Sequence, residues 1–139
     1  MITYVDTSTL VKLLIDDELH RPEAERLWLE ADHVVCAEIG YVEARAALAA
    51  AQRRGRLDAI GLHTAKDQFE SLWDQVSVVA VDTALVRGAG DIAELQGLRG
   101  YDAVHLAAAV IARVTVVASA DQQLTEAARR HGFAVAQLR

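Results

Sequence analysis

The sequence predicts an α/β domain built on a short central parallel sheet, and three observations carry that expectation. Short apolar, β-branched runs alternate with longer segments of helical periodicity along the whole chain, a pattern that implies crossover connections between parallel strands. The length, 139 residues, allows one sizeable core and is too short for two ordinary domains, so residues 1–139 are read as a single domain. The composition is that of an ordered globular chain: 53% hydrophobic, 24% charged, eight Gly and one Pro, without internal repeats, low-complexity tracts or a linker.

In chain order, Ile2 to Val5 reads as the first strand. Ser8 to Ile15 follows as a helix with Thr7 or Ser8 as its cap. After the acidic break Asp16-Asp17-Glu18, a second helix covers Glu23 to Glu30, opened by Pro22. His33 to Ala37 is a short strand. Ile39 to Arg54 is a long Ala-rich helix stopped at Gly55 with basic residues in its last turn. Leu57 to Asp74 is another helix, and Val76 to Val81 a strand. Asp82 caps a helix running to about Gln96, after which Gly97 and Gly100 punctuate a loop. Tyr101 to Ala112 is nearly all apolar and should lie buried at the centre. Val114 to Ala118 is a strand, Gln122 to His131 a helix ended by Gly132, and Phe133 to Ala136 a last strand. The count is four to five strands and about seven helices.

Charge and cysteine narrow the function. The net charge of −6 argues against holding nucleic acid by bulk charge alone. Its distribution is uneven: residues 1–32 carry net −5, whereas residues 39–57 carry net +3, a local phosphate-binding face in an acidic protein. No stretch is long and apolar enough to span a membrane, and the N-terminal segment lacks the features of a signal peptide. The single Cys36 has no internal partner; it reads as a small buried apolar residue and suits a reducing cytoplasm.

The chemistry rests on acids. Asp6, Asp82 and Asp121 each follow an apolar strand, Asp102 opens the most apolar helix, and Glu43 lies early in the Ala-rich helix. An Asp after a strand is commonly only a helix cap, and capping accounts for Asp82 fully. Asp6 has the same local sequence, but Thr7 and Ser8 are able to cap in its place, and the Ser8 hydroxyl can support an ion beside it. Glu43 is either an exposed acid at a helix start or a group projecting toward a cleft. Asp102 is costly to bury unpaired; His105, one turn on, makes either an Asp-x-x-His metal pair with it or a structural hydrogen bond near it. Asp121 is spare if Ser119 caps the last helix and occupied if it caps that helix itself. Asp6, Asp102 and Asp121 nevertheless all belong at one edge of a parallel sheet. Carboxylates gathered there repel one another, and a hard divalent cation, Mg²⁺ or Mn²⁺, removes that conflict. Zn²⁺ does not suit a set without thiols or clustered imidazoles.

With these residues in view the chain resembles a known family. Asp6-Thr7-Ser8, Glu43 in Val-Glu-Ala-Arg-Ala-Ala-Leu, the segment Leu98-Arg99-Gly100-Tyr101-Asp102-Ala103-Val104-His105-Leu106-Ala107, and Ser119-Ala120-Asp121-Gln122-Gln123-Leu124 occur in the order seen in PIN-domain nucleases, and most resemble the VapC toxins of bacterial toxin–antitoxin pairs. The resemblance covers essentially the whole chain, and its Asp102 segment is the most specific part. It implies a three-layer PIN-like domain and a Mg²⁺- or Mn²⁺-dependent ribonuclease that cuts single-stranded or structured RNA with metal-activated water. Asp6, Glu43, Asp102 and Asp121 take the family's acidic positions, Asp6, Asp102 and Asp121 as metal ligands, with Ser8 in support. It also implies a VapB-like antitoxin as partner and a homodimer. Beside it, Arg99 and Arg45 are candidates for RNA phosphates, as are Arg53, Arg54 and Arg56. Trp28, Phe69 and Trp73 are candidates for base stacking or for packing. Two other readings are a PIN-fold module that binds RNA or a partner without cutting, and an aspartyl-phosphate phosphotransferase with Asp6 as its nucleophile.

Overall fold

The computed structural model describes residues 1–139. Five parallel strands form one sheet in the order β3-β2-β1-β4-β5: β1 (Ile2–Val5), β2 (His33–Ala37), β3 (Val76–Val79), β4 (Val116–Ser119) and β5 (Ala134–Gln137). Seven helices cover it: α1 (Thr7–Leu14), α2 (Arg21–Glu30), α3 (Ile39–Arg53), α4 (Ala59–Trp73), α5 (Thr83–Gln96), α6 (Gly100–Ala112) and α7 (Gln122–Arg130).

Side-chain alternation along the strands divides the interior into two cores. Tyr4, Val35 and Val117 face one side, where Leu85 and Ala89 of α5, Leu106 and Ala107 of α6 and Leu124 of α7 pack on them. Val5, Val34, Cys36 and Ala118 face the other, under Leu10 and Leu14 of α1, Ala24 of α2, Ala44 and Leu48 of α3 and Ala65 and Phe69 of α4. The three layers expected from the sequence are these two helical layers and the sheet. Helix α6 lies against the sheet as its composition predicts, with Ala103, Leu106, Ala107, Ala108 and Ala109 buried, although Val110 and Ile111 at its end reach solvent.

Several boundaries differ from the sequence reading for identifiable reasons. Strand β3 stops at Val79 rather than Val81, and it lies at the edge of the sheet with Ser77 and Val78 exposed and Val76 and Val79 half-buried. Strand β4 starts at Val116 because α6 ends on Arg113, a non-glycine residue in the left-handed region (φ 53°) that the sequence does not flag. By contrast, α5 ends where expected, at Gly97 with φ 66°. Helix α1 is capped neither by Thr7 nor by Ser8 but by Asp6, whose side chain accepts from Thr9 N–H.

The topology sets the site. The chain runs outward from β1 through β2 to β3, then returns to the other side of β1 as β4 and β5. Between β1 and β4 the order reverses, and a crevice opens at the carboxyl ends of those two strands. Val5 pairs with Ala118, so Asp6 and Ser119 leave the sheet side by side.

Candidate active site

A cleft of about 550 Å³ opens at this reversal, and Asp6, Ser8, Glu43, Arg99, Tyr101, Asp102, His105 and Asp121 all line it. Asp6 is fixed by its neighbours. Its Oδ1 accepts from Ser8 Oγ (2.7 Å) and Thr9 N (3.1 Å), and its Oδ2 accepts from Ser119 Oγ. The two serines also accept backbone N–H groups from the turn after β4, Ser8 from Ala120 and Ser119 from Asp121, each at 2.9 Å. Ser8 thus holds the Asp6 carboxylate itself. Ser119, considered from sequence only as a cap, supports it equally.

Asp6 both caps α1 and lines the cleft, so a capping acid here still faces the cleft. Asp121 is the same: its Oδ1 caps α7 by accepting from Leu124 N (3.1 Å), while its Oδ2 faces Arg99 Nη2 (3.0 Å). Ser119 therefore does not cap α7. Asp102, 4% exposed, accepts from Arg99 Nε at 3.1 Å. Burial, then repulsion from Asp121, lifts Asp102 above the ordinary carboxylate range against the pull of Arg99. Arg99 thus lies across two of the acids, with its guanidinium over the Tyr101 ring at 4.9 Å.

Glu43 projects into the cleft rather than outward from α3. Its Oε1 meets His105 Nε2 (2.7 Å) and accepts from Thr7 Oγ1 (2.9 Å). Burial raises Glu43, but the hydrogen bonds from His105 and Thr7 outweigh it and hold this acid below its usual range. His105 pairs with Glu43 and Tyr4 and not with Asp102, so it is the buried, hydrogen-bonded structural histidine of the second reading and not half of an Asp-x-x-His pair.

Other candidates fall elsewhere. Arg45 bonds Tyr41 Oη (2.8 Å) and faces Glu70 on the outside of α3 and α4, away from the cleft. Arg56 reaches the rim but is paired with Asp17 and Glu18. Phe69 is fully buried and packs with Tyr41 and Trp73, so these aromatics serve the core. A phosphorylated Asp6 is poorly served: both its oxygens are engaged, and Lys12 points away to Leu19 O (2.7 Å).

The donor set suits a hard divalent cation. Asp6, Asp102 and Asp121, all in one cleft, supply oxygen only, and two of them already face a cation, the Arg99 guanidinium. No three of the acids close on one point as a ready-made metal cluster; Asp102 and Asp121 are turned to Arg99 instead.

A nest of acids at the reversal of a five-stranded parallel sheet, flanked by two helical layers, defines a PIN-type domain, and comparison with known proteins agrees. The PIN-domain family model matches residues 3–130, and the chain belongs to that family. Within it, the chain is 36% identical over 137 residues to ribonuclease VapC45 of Mycobacterium tuberculosis (strain CDC 1551 / Oshkosh), covering 97% of this chain and 94% of that one. Ribonuclease VapC49 of strain H37Rv matches with the same identity and coverage. Among solved structures, PAE2754 from Pyrobaculum aerophilum superposes with a TM-score of 0.73 at 19% identity, over 97% of this chain and 83% of that one. FitAcB from Neisseria gonorrhoeae gives 0.71 at 21% identity, over 97% and 96%. VapC20 of M. tuberculosis, described as a sarcin–ricin loop cleaving toxin, gives 0.70 at 19% identity, over 94% and 95%. No helix is long and apolar enough to cross a membrane.

Proposed function

We propose that this protein is a Mg²⁺- or Mn²⁺-dependent endoribonuclease and the toxin of a toxin–antitoxin pair, acting in the cytoplasm. The observation that carries this reading is the convergence of Asp6, Glu43, Asp102 and Asp121 on one cleft from four separate parts of the chain. The near-full-length identity to two VapC ribonucleases supports the choice of RNA as substrate. Asp6, Asp102 and Asp121 would hold the cation, which when bound supplies Lewis acidity toward a phosphoryl oxygen and acidifies water.

The chain's own groups divide the remaining work. Ser8 and Ser119 fix Asp6 in one orientation at the head of α1. Glu43, held ionised by its donors, orients water and receives its proton. Arg99 and Tyr101, at the mouth of the cleft, are placed to meet the sugar-phosphate backbone once Arg99 leaves the acids. Arg45, on the outside of α3, is not assigned to the scissile phosphate. The partners proposed from the family resemblance are a VapB-like antitoxin and a second copy of the chain.

The deciding experiment is Asp6→Asn. Asn caps helices as well as Asp does, so the fold should survive. Mn²⁺-dependent RNA cleavage should be lost; cleavage at the wild-type rate by a folded Asp6→Asn protein would overturn the assignment.

A further inference from the structure

Behind Glu43 runs a buried chain of polar groups that the acidic site does not by itself require. Tyr4, in the middle of the central strand, is fully buried. Its phenol oxygen accepts the Ala37 backbone N–H at 3.0 Å and lies 2.6 Å from His105 Nδ1. His105 is 2% exposed, and its other ring nitrogen reaches Glu43 Oε1.

The hydrogen-bond partners fix where the protons sit. A phenol donates one proton and accepts with its lone pairs. One lone pair of Tyr4 is taken by Ala37 N–H, and of the acceptors beside the phenol proton, His105 Nδ1 at 2.6 Å is far stronger than the Cys36 sulfur, a weak acceptor. That nitrogen is therefore bare, and the imidazole carries its hydrogen on Nε2, directed at Glu43. The reverse arrangement would leave the buried Tyr4 O–H with only the weakly accepting Cys36 sulfur, which is costly. Glu43 Oε1 then receives two donors, from His105 and Thr7, and Oε2 is the oxygen left without a protein partner.

We propose that His105 is a positioning residue for Glu43, held in the Nε2–H tautomer by Tyr4, so that Glu43 presents a single defined oxygen to the cleft. The proposal rests on the ribonuclease reading of that cleft. It assigns His105 and Tyr4 no contact with RNA or with a cation. Their effect passes through the orientation of Glu43, as outer hydrogen-bond partners tune an inner ligand. The spacing from Asp102 to His105 thus marks a second function on the same helix, directed at a different acid.

Two measurements test it. The first is ¹⁵N-histidine NMR on the full-length, metal-free protein at neutral pH. His105 is expected as a neutral ring with hydrogen on Nε2, and Tyr4→Phe should release it into a mixture of tautomers. A wild-type His105 that is doubly protonated, or protonated on Nδ1 alone, overturns the proposal. The second is steady-state RNA cleavage with Mn²⁺. His105→Ala should lower kcat by about 10- to 100-fold with little change in KM. His105→Gln, which keeps an N–H for Glu43, should recover most of that loss. Wild-type kcat in a folded His105→Ala protein, or no recovery in a folded His105→Gln protein, overturns the positioning role. Should His105→Ala fail to fold, Thr7→Val removes the other donor from outside the core and should lower kcat by several-fold at constant KM; unchanged kcat counts against the proposal. A wild-type protein that cuts no RNA sinks the ribonuclease reading itself, while the NMR result still decides whether His105 and Glu43 are arranged as proposed.

Discussion

Arg99 Nη2 stands 3.0 Å from Asp121 Oδ2, and the same guanidinium holds Asp102 through Nε. The cation that neutralises these acids in the metal-free protein is part of the chain. A divalent ion held by the proposed ligands would therefore compete with Arg99 for these oxygens and displace an ion pair whose arginine side chain is 56% exposed. Removing that ion pair should ease entry of the ion, so Arg99→Gln is expected to tighten Mn²⁺ binding several-fold. Calorimetric titration with Mn²⁺ reads this directly. The same variant should bind RNA more weakly, with a salt slope reduced by about one. Weaker Mn²⁺ binding in Arg99→Gln would show that Arg99 assists the metal site rather than competing for it.

Asp6 and Asp82 form a natural pair for separating capping from chemistry. Both follow a strand, both precede Thr, and both cap a helix through Oδ1, Asp6 to Thr9 N and Asp82 to Leu85 N. Only Asp6 lines the cleft. Asp82→Ala should cost about 1 kcal/mol of stability, the usual loss for a removed cap, and leave RNA cleavage per folded molecule unchanged. Asp6→Asn should do the opposite. Denaturant melts and cleavage assays on the two proteins, run side by side, check the division.

How much of this was legible beforehand varies with the range of the interaction. Asp6 and Asp121 could be placed at one sheet edge because the rule for parallel sheets needs only strand ends, which show in Val5-Asp6 and Ser119-Ala120-Asp121, whereas Asp102, at a helix start, stands out as an acid on an otherwise apolar helix. Cap assignment was not legible, because Asp6, Thr7 and Ser8 all carry suitable oxygens and only the folded turn decides among them. The partners of Arg99, Arg45 and His105 were hidden for another reason. Arg99 reaches Asp121 across 22 residues, and His105 reaches Glu43 across 62, so no local spacing reports either contact. Helical spacing suggested Asp102 for His105, but Arg99 draws Asp102 away and Tyr4 draws the ring toward the sheet.

Glu43 and Asp102 should respond to pH with opposite signs in the metal-free protein. Glu43 is held below its ordinary value of 4.5, so the folded state favours its ionised form. Its contribution is fully present above that value and is lost as pH falls through the lower, folded-state value. The stability difference between wild type and Glu43→Gln should therefore be largest near neutrality and shrink in acid. Asp102 is raised above 3.8, so ionising it opposes folding at neutral pH. Asp102→Asn should melt no lower than wild type at neutral pH without metal. Thermal melts from pH 3 to pH 7 distinguish the two; a parallel response would contradict the opposed shifts.

Gly40 and Cys36 are coupled by direct packing. Gly40, early in α3, leaves no room for a side chain: a Cβ there would lie 2.4 Å from Cys36 Sγ, which is buried at the end of β2. Burial pushes the Cys36 thiol far above its usual range, so it is an inert filler that wedges α3 against the sheet. Gly40→Ala should destabilise the protein by about 1–3 kcal/mol through overpacking, despite the better helix propensity of Ala. Cys36→Ala alone should also destabilise, by opening a cavity. In the double variant the methyl introduced by Gly40→Ala occupies the space the sulfur leaves. The two losses should therefore not add: the double variant should be more stable than their sum by roughly 1 kcal/mol or more, within the range seen for residues in contact. Urea unfolding of the four proteins in one double-mutant cycle measures the coupling. Additive losses would mean that α3 shifts to admit the new methyl without touching Cys36. Glu43 lies one turn further along the same helix, so such a shift would also appear as a change in kcat.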